Sequence, residues 1–234
     1  MEGPQPGLKR ALDLAVAGSA LVVCAPLMAV VAGAIRLTMG RPIIFRQARP
    51  GYRGKLFVPY KFRTMTDSRD AAGNRLPDGE RVLPLGRVLR RLSIDELPQF
   101  VNVLKGEMSV VGPRPLLAEY LDRYPVKYVR RHDVKPGITG WAQVNGRDEL
   151  PFGKRLELDV WYVDHQSIAL DLKIMGLTVL RVAGMHGNRA WQTEDEILAI
   201  DDVNLTNMAR ARREADATPA PDDGQPTSGP SPVG

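Results

Sequence analysis

The chain has 234 residues, with 32 Lys and Arg against 27 Asp and Glu, for a formal net charge of +5. Apolar residues make up 44% and charged residues 25%, which excludes wholesale disorder, collagen-like repeats and low-complexity architecture and fits one domain with appendages. The single cysteine, Cys24, excludes an internal disulfide and an all-cysteine zinc site, and a mean hydropathy of −0.20 excludes a multi-span membrane protein while leaving room for one membrane segment.

That segment is Leu14–Ile35, 22 residues without a charge. As a helix it is about 33 Å long, close to a bilayer core of about 30 Å. Pro26 divides it into arms too short to span alone, and removes one helical hydrogen bond. Lys9 and Arg10 precede the segment, and Arg36 and Arg41 follow it. Basic flanks mark cytoplasmic ends. Two topologies meet these facts: a kinked spanning helix, or a helix that bends at Pro26 and returns to the face it entered.

From Arg36 to Arg63 there are eight basic residues and no acidic one, a stretch suited to anionic lipid headgroups. Within it, Ile43–Gln47 and Leu56–Phe62 read as strands of a small hairpin, with Pro50-Gly51 and Arg53-Gly54-Lys55 as turn chemistry. Residues 66–82 read as a loop. Leu85–Arg91 reads as a short basic helix and Ser93–Lys105 as a second one, stopped by Gly106. Ser109–Pro115 reads as a rigid loop. Leu116–Arg131 is a helical stretch interrupted at Pro125, and Lys135–Arg147 is loop-rich with a possible strand. Leu156–Asp164 and Ile168–Val182 read as helices, the second a core or interface helix. The tail beyond Glu214 is rich in Pro, Gly, Ser, Thr and Asp and predicts disorder.

No phosphate loop, dinucleotide-binding glycine motif or serine-nucleophile elbow occurs. His132, His165 and His186 show no metal-ligand spacing, and each reads as a structural or surface residue. Aromatic content of 6% and the absence of any nucleic-acid motif argue against a nucleic-acid platform. Carboxylates, arginines and loops remain. Asp95-Glu96 sits in Ser93-Ile-Asp-Glu-Leu-Pro-Gln99. By spacing alone the pair is a helix start, with Ser93 in a capping box or Asp95 as N-cap ahead of Pro98. Arg90 upstream and Arg114 in a Pro-Arg-Pro loop downstream add a second reading. Arginine forks match phosphate oxygens, paired carboxylates hold Mg²⁺ together with substrate phosphates, and a carboxylate can attack phosphorus.

The chain resembles the bacterial sugar transferases, the monotopic phosphoglycosyl transferases that act on polyprenyl phosphate. The matching motifs run in order: Lys9-Arg-x-x-Asp13, Phe45-Arg-Gln-x-Arg-x-Gly51, Tyr60-Lys-Phe-Arg-Thr-Met65, Ser93-Ile-Asp-Glu-Leu-Pro-Gln99 and Asn102-Val-Leu-Lys-Gly-Glu-Met-Ser109. They continue through Val111-Gly-Pro-Arg-Pro115, Lys135-Pro-Gly-Ile-Thr-Gly-Trp-Ala-Gln143, Asn145-Gly-Arg147, Asp159-Val-Trp-Tyr162 and Leu170-Asp-Leu-Lys-Ile174. Together they cover residues 7–182.

The resemblance implies a mostly helical α+β fold with three parts: a re-entrant membrane helix over residues 1–36 broken at Pro26, a catalytic domain over 37–205 carrying the hairpin and interfacial amphipathic helices, and a disordered tail over 206–234. It implies a monotopic protein of the bacterial inner membrane, facing the cytoplasm, that moves a sugar-1-phosphate from a UDP-sugar to undecaprenyl phosphate and releases UMP. By position in the motifs, Asp95 is the nucleophile and a Mg²⁺ ligand, with Glu96 its catalytic partner. Lys61, Arg90, Arg114, Arg147, Asp159 and Asp171 fall on family positions assigned to substrate binding. A direct ternary-complex transfer and an inactive membrane-bound scaffold are the alternatives. The sugar, the pathway and the oligomeric state are left open.

Overall fold

A computed structural model describes residues 6–123, 125–146 and 150–184. Helix α1 (Pro6–Thr38) contains the apolar segment, and its helical assignment continues through Pro26. One face of α1 is buried at both ends: Asp13 and Ala17 near its start, Val31 and Ile35 near its finish. Ala17 joins the main core with Val103, Met108, Val110, Val111, Tyr162 and Ile174, whereas Val31 and Ile35 pack on Phe62 and Leu89. Between these anchor points Val22 and Val23 are 76% and 77% exposed. Both ends of the apolar helix therefore rest on the same folded body while its middle offers aliphatic side chains outward.

The start of α1 is a polar foot set into that body. Lys9 Nζ reaches the Asp171 carboxylate at 2.6 Å. The Arg10 guanidinium donates to the carbonyls of Val103 and Leu104 at 2.6 and 2.9 Å, in the last turn of a helix, where carbonyls lack a full set of intrahelical partners. Asp13 accepts from the Ser109 hydroxyl and the Val110 N–H, both at 2.9 Å.

The basic stretch forms the predicted hairpin, nested in two rungs. Strand β1 (Ile44–Arg46) and β2 (Arg49–Pro50) return through a tight turn at Tyr52–Gly54 to β3 (Leu56–Phe57) and β4 (Tyr60–Phe62). β1 pairs antiparallel with β4, Phe45 opposite Lys61, and β2 with β3. The polar loop that follows contains one helical turn, α2 (Asp78–Arg81), and is closed by a bridge between Met65 and Val82.

Helix α3 (Pro84–Arg91) matches its prediction and opens with proline in its first turn. Gly86 presses on the hairpin: a Cβ there would lie 2.0 Å from the Thr64 carbonyl oxygen. The single helix predicted over Ser93–Lys105 is divided. Ser93 takes a left-handed conformation (φ 55°), a 3₁₀ turn spans Ile94–Glu96, and α4 (Gln99–Lys105) starts only after Pro98. Neither Ser93 nor Asp95 caps α4, since Pro98 occupies that position without a side-chain cap. Proline has no N–H to give a continuing ladder, so the α-helix begins behind it. Gly106 stops the helix at φ 83°, as the sequence predicts.

Ser109–Val111, predicted as loop, is a fully buried strand, β5. A 3₁₀ stretch (Ala118–Arg123), α5 (Val126–Val129) and a second 3₁₀ turn (Arg130–His132) follow. The possible strand is β6 (Gly137–Thr139), which pairs parallel with β5. Two short parallel strands leave no alternating pattern to read. Their partners approach so closely that a Cβ on Gly137 would lie 2.1 Å from the Gly112 nitrogen. Helices α6 (Trp141–Val144), α7 (Phe152–His165) and α8 (Ile168–Ala183) complete the body. The Ser167 hydroxyl caps α8 by accepting from Leu170 N–H. The predicted tail lies outside the described residues.

Candidate active site

The site is built where β4, the 3₁₀ turn Ile94–Glu96 and the Pro-Arg-Pro loop meet. Strand β4 delivers Lys61, the turn delivers Asp95 and Glu96, and the loop delivers Arg114. Glu96 is buried. Its carboxylate accepts from Lys61 Nζ at 2.8 Å and from Arg114 Nη2 at 2.7 Å. A buried charge persists only when paired and hydrogen-bonded, and Glu96 has both. Burial alone would raise its pKa; the adjoining Arg114 and Lys61 outweigh that and hold the group well below the ordinary carboxylate range. Lys61 moves the other way. Burial lowers its pKa, and Arg114 adds repulsion, against the attraction of Glu96 and Asp95.

Asp95 is half-buried, and among the described residues no hydrogen bond is made to its carboxylate. Its pKa is pushed up to about 6, first by desolvation and then by the neighbouring Glu96 charge, against the pull of Lys61, Arg114 and Arg90. The adjacent acids thus have different tasks open to them. Glu96 is committed to two cations. Asp95 keeps its oxygens for a ligand, and at neutral pH it is ionised yet more basic than an ordinary aspartate.

Arg90, on α3, completes the electrostatic surround. Its Nε donates to the Thr64 hydroxyl at 2.7 Å, which ties α3 to the segment that follows the strand carrying Lys61. Three cations (Lys61, Arg114 and Arg90) therefore act on the Asp95 carboxylate. Guanidinium and ammonium groups gathered in this way suit phosphate oxygens.

Asp159 and Asp171 are held in pairs of their own. Asp159, on α7, is 3% exposed and paired with Arg131 at 2.7 Å. Asp171, on α8, is 1% exposed and receives Lys9 and the Tyr162 hydroxyl, each at 2.6 Å. Both acids lie in interior ion pairs. Arg147 lies outside the described residues. His132 is buried with its Nδ1 3.2 Å from the Gly51 carbonyl, and His165 stacks on Trp161 at the surface; His186 is not among the described residues.

Sequence reasoning overlooked Thr64 and Arg131. Thr64 was legible only as one letter of the Tyr60–Met65 motif. Arg131 stands between Arg130 and His132 and reads as part of a solvated basic run; only the fold shows it 2% exposed.

The residues present fit a divalent cation in one way. Among the described residues no group of three His, Cys, Asp or Glu converges. Mg²⁺ is commonly held by one or two carboxylates together with waters and substrate phosphates. The Asp95 carboxylate is the group that would serve as such a donor.

Comparison with known proteins follows the same residues. The family model described as bacterial sugar transferase matches residues 5–185. An "Uncharacterized sugar transferase EpsL" of Bacillus subtilis is 55% identical over 180 residues, 77% of this chain and 89% of that protein. The "UDP-glucose:undecaprenyl-phosphate glucose-1-phosphate transferase" of Escherichia coli is 42% identical over 184 residues, 74% of this chain and 40% of that protein. The "Exopolysaccharide production protein ExoY" of Sinorhizobium fredii is 34% identical over 200 residues, 77% of this chain and 87% of that protein. The chain thus spans less than half the length of its Escherichia coli relative but most of the length of the other two.

Proposed function

Because the chain belongs to the bacterial sugar transferase family, we propose that it transfers a sugar-1-phosphate from a UDP-sugar to undecaprenyl phosphate, releasing UMP. The transfer would open the membrane stage of glycoconjugate assembly. The observation that carries this reading is the division of labour in the acidic pair: Glu96 is clamped by Lys61 and Arg114, while Asp95 is left basic and without a hydrogen-bond partner among the described residues.

In the proposed reaction an Asp95 oxygen attacks the sugar-bearing phosphorus of the donor. The bond from that phosphorus to the bridging oxygen breaks, and UMP leaves with that oxygen. Arg90 and Arg114 offset the charge on the phosphates as it shifts toward the leaving group. Lys61 and Arg114 keep Glu96 ionised and fixed, and Glu96 orients the turn that presents Asp95. A phosphate oxygen of undecaprenyl phosphate then attacks the same phosphorus and displaces the Asp95 carboxylate. The product is a diphosphate-linked lipid sugar, and the carboxylate is regenerated. Mg²⁺, held by Asp95 with donor phosphates, would supply Lewis-acid neutralisation of the diphosphate.

The membrane part of the reading is a re-entrant α1. Both ends of α1 pack on one body while its centre is exposed, and that arrangement supports return to the entry face. A straight spanning helix would carry one end about 30 Å away from that body. The basic hairpin at the C-terminal end of α1 would then lie at the headgroups, beside the acceptor phosphate.

The test is UMP release by the protein in lipid discs with Mg²⁺, using UDP-glucose first, since that is the donor in the Escherichia coli relative's name, then other UDP-sugars. About one UMP per enzyme without acceptor, turnover with undecaprenyl phosphate, and neither with Asp95→Asn is the expected result. Turnover only with acceptor present, and no burst, would overturn the covalent step. Silence of the folded protein across the donor panel would overturn the transferase reading.

A further inference from the structure

Arg114 reaches Glu96 from a loop that has little freedom, and what holds that loop lies outside the catalytic cluster. Proline on both sides restricts the backbone of Arg114. The carbonyl before it, Pro113, accepts from Gly137 N–H at 3.0 Å. Its own carbonyl accepts from Arg131 Nη2 at 2.6 Å. Arg131 is 2% exposed, and its Nε and Nη2 both donate to one Asp159 oxygen, at 3.1 and 2.7 Å. The Asp159 carboxyl group fixes the Arg131 guanidinium, which presents the Arg114 carbonyl with a rigid donor. Neither buried side chain is open to a substrate.

We propose that the Arg131–Asp159 pair is a positioning device for the transferase site: it anchors the Arg114 backbone from α7 so that the Arg114 guanidinium holds Glu96, and with it the Asp95-Glu96 turn, in place. The proposal rests on the reading of Asp95, Glu96 and Arg114 as the active site. It assigns Asp159 to an interior role in place of the substrate contact that the family resemblance implies. The consequence is a line of contacts from Asp159 through Arg131 and Arg114 to Glu96 and Lys61. Each link is a charge-assisted hydrogen bond, the strong class.

Removing either partner alone would strand a buried charge, so the informative variants keep the interior neutral. Arg131→Lys preserves the ion pair but lacks the planar fork needed to hold Asp159 and the Arg114 carbonyl together. The double variant Arg131→Met/Asp159→Leu removes both charges and keeps the volume. In each, folding is checked by circular dichroism and thermal unfolding, and UMP release is followed with UDP-glucose and undecaprenyl phosphate. The expected result is a kcat lower by roughly 10- to 100-fold, since displacement of a positioned group by about 1 Å has effects of that order. The KM for the donor stays within about threefold of the parent.

A donor-independent readout accompanies it. The Tm shifts of Arg131→Lys and Glu96→Gln are measured singly and together. If Arg131 acts through Arg114 on Glu96, the second substitution costs less than half as much in the background of the first. Additive shifts would overturn the proposal, as would folded variants with parental kcat. Asp95→Asn, run in parallel, separates the two levels. An active Asp95→Asn would defeat the site reading, whereas an inactive Asp95→Asn beside a fully active double variant would defeat the positioning role alone.

Discussion

Asp95 and Glu96 are neighbours in the chain whose ionisations are driven apart: Asp95 is pushed up to about 6 by desolvation and its neighbour's charge, while Glu96 is held far down by Arg114 and Lys61 against the cost of burial. Separated ionisations in a carboxylate pair are what a division between a reacting and a supporting group requires. The pH dependence follows. The rate of UMP release should fall as the pH drops through about 6, where Asp95 takes up its proton. An acid limb below pH 5 would contradict this assignment.

Stability changes in the opposite sense. Asp95 ionises near 3.8 in the unfolded chain and near 6 in the folded protein. Between those values the folded state binds more protons, so stability falls as pH rises through the window. At neutral pH the fold carries the full cost of this charge. Asp95→Asn should therefore abolish UMP release yet raise stability, by about 1 kcal/mol after allowance for solvent around a half-buried group. Thermal unfolding at pH 7.5 and at pH 4 measures it; the gain should shrink at the lower pH.

Glu96→Gln should behave differently. Its loss leaves Lys61 and Arg114 facing each other without an acid between them, and breaking a buried pair costs about 3–5 kcal/mol. For a chain of this size that is a Tm decrease of about 6–20 °C. UMP release should also be lost. A variant with parental Tm would mean that the clamp seen around Glu96 contributes little to the fold.

Thr64 should prove to be a site residue through Arg90. Thr64→Val removes the oxygen that accepts from Arg90 Nε at 2.7 Å. Donor KM should rise about tenfold, and Thr64→Ser should restore it. Gly86→Ala addresses the same contact from the other side. Its Cβ would meet the Thr64 carbonyl at 2.0 Å, so the backbone must shift, at about 1–3 kcal/mol. Equal activity of Thr64→Val and Thr64→Ser would remove Thr64 from the site.

The topology of α1 is testable at Leu8 and Leu37, which are 60% and 89% exposed near its two ends. With Cys24 replaced by Ala, Leu8→Cys and Leu37→Cys should react with a membrane-impermeant maleimide from the same side of oriented vesicles. Labelling from opposite sides would establish a spanning helix in place of a re-entrant one.

The sequence by itself determined the local elements and the chemistry on offer. The 22 uncharged residues from Leu14, the turn residues between Ile43 and Phe62, and the stop at Gly106 are each dictated by nearest neighbours along the chain. The motifs around Asp95, Glu96, Lys61 and Arg114 pointed to one cluster, and the fold brings those four together with Arg90. Tertiary structure decided which acids face inward. Asp95, Asp159 and Asp171 are alike as letters, yet one is left with no hydrogen bond to its carboxylate among the described residues, one is paired with Arg131, and one is paired with Lys9. The partners of the last two stand 28 and 162 positions away. Burial and pairing at such separations depend on how helices and strands pack, and a carboxylate's charge, basicity and availability follow from that packing. The pairing of β5 with β6 and the division of Ser93–Lys105 were decided the same way, by the close approach of Gly112 to Gly137 and by the turn that Ser93 and Pro98 impose on the chain.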